Sequence, residues 1–406
     1  MLRAWHPRVS SLPTLALLLL ASCRGPSPVA GAPVPVRLPA TMADTVRSVR
    51  VAPGAVLHTI VNLSAPWRAF VLEVDLTCAA LRAVKGGATA VGRTTTSALL
   101  AGLPASASAM AAVNADFFLF TPPGVPTNAH VENGMLLAGP DSRPVLWAGA
   151  GRTMGFDTLR VQGVLRADGR SLPLTAWNRP AAGTSGIVDR HWGVVVDTVI
   201  RRRSWRLDPV AGTLRRIGPS LDGRFAVREP VARDSVVQGD TLLLHVASPA
   251  LMSAGIGDTV TLSVRLNGSA PAAASGGIQQ AVGGRPILLR DSVITADVET
   301  EGNAGFRGLN PRTAAGLNRQ GTRMWLAVVD GRQPGRSMGM TLRQTGALLQ
   351  ALGATSALNL DGGGSSALAL RDLVSGEVRV VNTPSDPVER PVGNALAVLS
   401  TCSGRK

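Results

Sequence analysis

The chain has 406 residues and a formal charge of +15, carried almost wholly by arginine because Lys85 and Lys406 are its only lysines. Hydrophobic residues make up 45% and charged residues 17%, a balance that excludes a disordered chain and predicts a packed core. The positive balance favours anionic partners such as phosphate-bearing glycans or membrane surfaces, while scattered arginines and 3% aromatics argue against nucleic acid.

At the N-terminus, Arg3, His6 and Arg8 flank the apolar run Leu12–Leu20, closed by Ala21-Ser22-Cys23. The run is short for a membrane span and fits an export signal. Leu20-Ala21-Ser22-Cys23 resembles a bacterial lipobox, so residues 1–22 are expected to be a lipoprotein signal peptide and Cys23 the lipidated residue. The Pro/Ala/Gly/Ser-rich stretch 23–50 is expected to be a flexible tether to one domain, 51–402. Two further cysteines, Cys78 and Cys402, could form one disulfide or remain separate buried thiols. The five histidines are dispersed and no CxxC occurs, which makes a zinc site unexpected.

From Val51 to Val84 apolar and polar residues alternate as in strands. Thr94–Ala112 is Ala/Ser/Leu-rich and predicts a helix. It leads into Asn114-Ala115-Asp116, where the alternation puts both polar side chains on one face. Residues 150–270 read as short strands broken by Gly, Asp and Pro. Gly283-Gly284 precedes another strand, as at a bulge or a close backbone approach.

The densest signals lie between Met324 and Leu370. Met324–Val329 is an apolar strand ending at Asp330. Thr341 and Gln344 form a capping-box pattern. Leu342, Leu348, Leu349 and Leu352 then share roughly one helix face, and Gly353 is placed to end the helix. Ser356–Leu360 is a second short strand, ending at Asp361. Strands joined by a helix are normally parallel, which places Asp330 and Asp361 on one rim, about 4.8 Å or 10 Å apart by strand spacing. The expected fold is therefore α+β: a large mixed β-sheet core with a parallel strand–helix–strand unit at 324–361 carrying the site. Gly362-Gly363-Gly364 would leave backbone amides open as an anion-binding nest.

These motifs resemble the phosphodiester glycosidase family. The resemblance rests on Asn310-Pro311-Arg312-Thr313-Ala314, Val328-Val329-Asp330-Gly331-Arg332, Ser337-Met338-Gly339-Met340-Thr341, Asn359-Leu360-Asp361-Gly362-Gly363-Gly364-Ser365-Ser366 and Arg390-Pro391-Val392-Gly393-Asn394. Asn114-Ala115-Asp116-Phe117-Phe118 and Trp177-Asn178-Arg179-Pro180 are similar to earlier family segments. Asn310 stands where the family often has His. The resemblance implies an exported hydrolase releasing a sugar from a sugar-1-phosphate diester, with Asp330 and Asp361 as paired catalytic carboxylates. The substrate-binding set expected with them is Asn114, Asp116, Gly284, Arg312, Thr313, Arg332, Ser337, Gly339, Gly362, Gly363, Gly364, Ser365, Ser366, Arg390 and Asn394. Arg312 and the glycine amides would hold the phosphate. No cofactor is required, although Asp361, Asp330 and Asp116 offer oxygen ligands for a cation such as Ca²⁺. The expected partners are a phosphorylated glycan and, through the N-terminal lipid, a membrane. The alternative is a lipid-anchored envelope or exopolysaccharide-binding protein without catalysis.

Overall fold

The computed structural model describes Met1 and residues 36–195, 197–229, 236–269 and 277–402. Residues 2–22 of the stretch expected to be a signal peptide, and Cys23, lie outside the described residues. The first strand, Thr45–Ala52, begins inside the stretch assigned to the tether.

Two antiparallel sheets face each other at the centre. The larger has the strand order Thr45–Ala52, Ala55–Asn62, Trp67–Asp75, Arg323–Val329, Arg312–Leu317, Ser356–Asn359, Ile287–Arg290, Val293–Ile294. The smaller has the order Val378–Val380, Leu368–Arg371, Ala109–Asn114, Ala395–Ser400, Ala79–Val84. Phe70, Leu72, Leu326 and Val328 of the first meet Met110, Val113, Leu368 and Val398 of the second in one core. The opposite side chains, Ala69, Val71, Trp325, Ala327 and Val329, pack under the Leu342–Leu352 helix in another. Met324–Val329 thus has both faces buried, which is why it reads as unbroken apolar sequence.

The expected α+β class is overturned. Strands account for 43% of the described residues and helices for 11%, so the fold is β-rich. Arg323–Val329 and Ser356–Asn359 do not pair; Arg312–Leu317 lies between them and is antiparallel to both. An apolar run usually signals a parallel sheet under helices. Here a second sheet and a single helix bury the same antiparallel strand from its two sides, and the sequence pattern is identical. The helix itself forms as expected, with the Thr341–Gln344 capping box in place and Gly353 left-handed at its end. Thr94–Ala112 gives only the short helix Thr96–Ala101, then a single tight turn and the strand Ala109–Asn114.

A second lobe is built on a nine-stranded sheet running from Arg170–Leu174 at one edge to Ala176–Trp177 at the other, with a five-stranded sheet sharing its core. The parallel pairing among the described residues is confined to Ala176–Trp177 against Gly186–Val188. Cys78 and Cys402 are joined, closing a sequence separation of 324 residues beside the paired strands Ala79–Val84 and Ala395–Ser400.

Candidate active site

Strand ends create the site. Because Arg312–Leu317 runs against both of its neighbours, its first residue sits beside Val329, and Ala314 sits beside Asn359. The rim of the larger sheet therefore gathers Arg312, Asp330 and Asp361. Asn114, at the end of a strand in the smaller sheet, stitches this rim to the opposite layer. Its amide donates to the Asp361 carbonyl at 2.6 Å, and its Oδ1 accepts from the Thr313 hydroxyl at 2.7 Å and the Ala367 amide at 3.2 Å.

Asp361 opens onto a cleft of about 240 Å³ lined by Phe117, Phe306, Asn310, Arg312, Arg332, Arg390 and the glycine loop. Its Oδ1 accepts the Gly362 amide at 2.9 Å. Burial pushes its pKa up to about 6, against the Ser365 hydroxyl, the Gly362 amide and the charges of Arg390 and Arg285.

The cleft is rich in positive charge. Arg312 is buried and donates Nε to the Met340 carbonyl and Nη2 to the Phe306 and Gly308 carbonyls. Burial, and then the charge of Arg332, lowers its pKa to about 10. Arg332 donates to Asn310 Oδ1 at 2.9 and 3.3 Å. Among the described residues, neither Arg312 nor Arg332 has a carboxylate within ion-pair distance. Arg390 is paired with Asp386 at 2.8 Å, and Arg285 with Glu301 at 2.7 Å. Arg285 also lies over the rings of Phe117 and Phe306 at 5.1 and 5.5 Å.

The glycine loop is not the open nest expected. Gly362 donates to the Asp361 carboxylate and Gly363 to the Pro311 carbonyl at 3.0 Å. The glycines instead permit close approach. A Cβ on Gly362 would press on the Pro311 carbonyl at 2.7 Å, one on Gly363 would meet Arg332 at 3.2 Å, and one on Gly364 would overlap the Arg390 guanidinium. Gly363 also has φ +61°.

Asp116 lies behind the cleft, almost wholly buried. Its carboxylate accepts from the Asn128 amide at 2.8 Å and the Thr127 hydroxyl at 3.2 Å. Its own amide donates to Asn394 Oδ1 at 2.8 Å, and Asn394 in turn meets His130 Nδ1 at 2.9 Å. Burial pushes the Asp116 pKa up to about 7, the Asn128 amide, Arg179 and the Thr127 hydroxyl oppose it, and Asp361 adds to it.

Asp330 is not among the cleft-lining residues. Its Oδ1 accepts from the Thr383 amide at 2.9 Å and the Asn382 amide at 3.2 Å, and Asn382 also donates to the Ser366 carbonyl at 3.0 Å. Its backbone carbonyl accepts the Ser337 hydroxyl at 2.6 Å. The rim expected for both aspartates exists, but their side chains leave it in different directions. The charge of Asp361 adds to the upward shift of Asp116, and the Asp361 amide donates to the Ala115 carbonyl at 2.8 Å, tying the two segments together.

The remaining expected residues divide in the same way. Arg312, Arg332, Arg390 and Gly362–Gly364 line the cleft. Asn114, Thr313, Ser337 and Asn394 are buried supports. Gly339 has φ +95° and packs against Asn310, and Gly284 packs against the Asn359 carbonyl. Ser365 flanks the Asp361 carboxyl and Ser366 is buried behind it. Asp116, Asp330 and Asp361 do not assemble a cation site; no cluster of three metal-ligating side chains occurs among the described residues. Arg285, Phe306, Asn128 and Arg179 escaped the sequence reading. Arg179 carried a signal as part of Trp177-Asn178-Arg179-Pro180, Arg285 directly follows the Gly283-Gly284 pair, and Asn128 opens a turn between predicted strands.

Residues 225–399 match the family model for phosphodiester glycosidase. No curated protein matches. Among solved structures, a hypothetical protein from Synechocystis superposes with a TM-score of 0.68 at 20% identity, covering 88% of this chain and 64% of that one. This chain thus spans slightly less than two-thirds of that protein's length. A "Putative exported protein" from Burkholderia pseudomallei gives a TM-score of 0.59 at 26% identity, covering 82% and 74%. The zebrafish N-acetylglucosamine-1-phosphodiester alpha-N-acetylglucosaminidase catalytic domain, auto-inhibited by its pro-peptide, gives 0.43 at 14% identity, covering 88% and 81%.

Proposed function

We propose that this chain, matched to the phosphodiester glycosidase family over residues 225–399, hydrolyses a sugar-1-phosphate diester in the cleft at Asp361. One observation carries the reading: an aspartate of raised pKa opens into a cleft where Arg312 and Arg332 have no carboxylate partner among the described residues. The two guanidinium groups would take the anionic phosphate, and Asp361 would face the anomeric carbon. A phosphate is a good leaving group once its charge is balanced, so the bond to the sugar can break without a second acid in the cleft. Asp361 would attack the anomeric carbon or draw a proton from water there. Asp116, sealed behind it, would tune its proton affinity rather than touch substrate.

The test is release of free sugar from a sugar-1-phosphate diester by wild type, Asp361→Asn and Arg312→Met. Loss of turnover in Asp361→Asn, with the fold intact, is expected. Undiminished turnover in that variant would remove Asp361 from the chemistry. Tight binding of the diester by wild type without any turnover would favour the non-catalytic reading.

An exported, lipid-anchored location is part of the proposal. The Cys78–Cys402 disulfide is compatible with an oxidising compartment. Two or more acyl chains on Cys23 would hold the protein at a membrane where one is marginal. Replacement of Cys23 by Ser is expected to release it into the soluble fraction with its activity unchanged.

A further inference from the structure

The second lobe sends one cation toward the site. Trp177 and Asn178 are anchored on Asp189, a buried carboxylate. The Trp177 indole donates to its Oδ2 at 3.2 Å and the Asn178 side-chain amide to its Oδ1 at 2.8 Å, while the Asp189 backbone amide returns a bond to Asn178 Oδ1 at 2.9 Å. His191 and Arg216 complete the shell around the same carboxylate. Asn178 is held there at φ +49°, a left-handed turn. The turn directs Arg179 away from this knot and toward Asp116.

Arg179 grips backbone. Its Nε donates to the Gly139 carbonyl at 2.7 Å and its Nη2 to the Pro126 carbonyl at 2.8 Å and the Asn128 carbonyl at 3.4 Å. Between those last two residues lie the Thr127 hydroxyl and the Asn128 amide that hold the Asp116 carboxylate. One guanidinium therefore fixes the turn that cradles Asp116 and places a positive charge near it.

We infer that Arg179, anchored through Asn178 on Asp189, is a positioning residue for Asp116, and through Asp116 for Asp361. The inference rests on the proposed role of Asp361 for its link to turnover, but not for its link to Asp116. The charged groups acting on Asp116 are Arg179 and Asp361; His130 reaches it through Asn394, and Lys85 acts on His130. Asp141 and Arg143 lie near Arg179 and oppose each other in sign.

The experiment compares wild type with Arg179→Met and Arg179→Lys. The Asp116 carboxyl is followed by ¹³C NMR titration, assigned by its absence in Asp116→Asn. Removing the nearby cation is expected to raise the Asp116 pKa by about 1 pH unit in Arg179→Met. Arg179→Lys should keep the titration close to wild type, because the charge stays. In turnover of a sugar-1-phosphate diester, Arg179→Met should lower kcat more than it raises KM and move the pH profile in the same direction as the NMR titration. An Asp116 titration that is identical in wild type and a folded Arg179→Met would overturn the inference. If Arg179→Met fails to fold, Asn178→Gly carries the test. Asn178→Gly keeps the turn but cuts the tie to Asp189, and an unmoved Asp116 titration there would equally overturn it. If no variant, wild type included, turns over a diester, the proposed reaction fails while the NMR comparison still decides the role of Arg179.

Discussion

The Asn114 side-chain amide donates to the main-chain carbonyl of Asp361 at 2.6 Å, across the gap between two sheets. That bond ties the cleft-facing aspartate to the smaller sheet. Asn114 has no exposed surface, so a cut bond cannot be replaced by water without rearrangement.

Asn114→Ala should therefore cost stability and activity together. Loss of the buried partner is expected to lower unfolding free energy by about 1–3 kcal/mol. The Asp361 backbone would relax and kcat would fall by roughly tenfold or more, since small misplacements are costly in oriented reactions. Denaturant titration and steady-state kinetics on the purified variant check both. A variant with normal kcat would show that Asp361 does not depend on this tie.

Asp330 and Asp361 should separate experimentally. Asp361→Asn removes the charge that faces the cleft and is expected to abolish turnover while the thermal midpoint holds or rises. Asp330→Asn keeps an oxygen to accept the Thr383 and Asn382 amides and removes a carboxylate whose charged form is disfavoured by burial. It is expected to leave the midpoint near that of wild type and to retain measurable turnover. The opposite pattern would return Asp330 to the chemistry.

The raised pKa of Asp116 predicts a pH dependence of stability. The group ordinarily ionises near 4, and in the fold it ionises near 7. Its contribution is fully present below the unfolded value and is lost as pH rises through the folded one. Between pH 4 and 7 the unfolded chain has released the proton that the folded chain still holds, so stability falls across this window. Asp116→Asn removes the penalty and should be more stable than wild type by about 2 kcal/mol at pH 8, with no gain at pH 3. Chemical denaturation at both pH values tests this.

Gly364→Ala probes the packing of the arginines against the loop. The added Cβ would overlap the Arg390 guanidinium and crowd Asp386. Arg390 must move away from the cleft, so KM for an anionic diester should rise several-fold while the fold persists. Titration with inorganic phosphate should weaken in parallel. Unchanged affinity would show that Arg390 adds nothing to the hold of Arg312 and Arg332 on the phosphate.

Replacing Cys78 and Cys402 together by Ser should leave the cleft geometry intact and lower stability by about 2–5 kcal/mol, because the bridge constrains a very long loop in the unfolded chain. Calorimetry of the oxidised wild type, the reduced wild type and the double variant separates this effect from thiol chemistry.

The sequence by itself determined what is local. Thr341 and Gln344 specified a capped helix start because both bonds of a capping box lie within four residues. Met324–Val329 read as buried, and Asp361 with its glycines stood out because a strand end followed by three glycines is a local pattern. Tertiary structure decided the pairing and the direction of side chains. An apolar strand records that both faces are covered, not whether a second sheet or a layer of helices covers them, so β-rich and α+β arrangements looked alike until Arg312–Leu317 was seen between the two site strands. The same limit hid the electrostatic partner of Asp361. Asp330 and Asp361 sit at equivalent strand ends, but Asn382 and Thr383 capture one carboxylate while the cleft receives the other. Asp116 joins the site through a bond to Asn394, 278 residues away, and Arg179 through contacts with residues 40–53 positions earlier, and no spacing along the chain encodes such contacts.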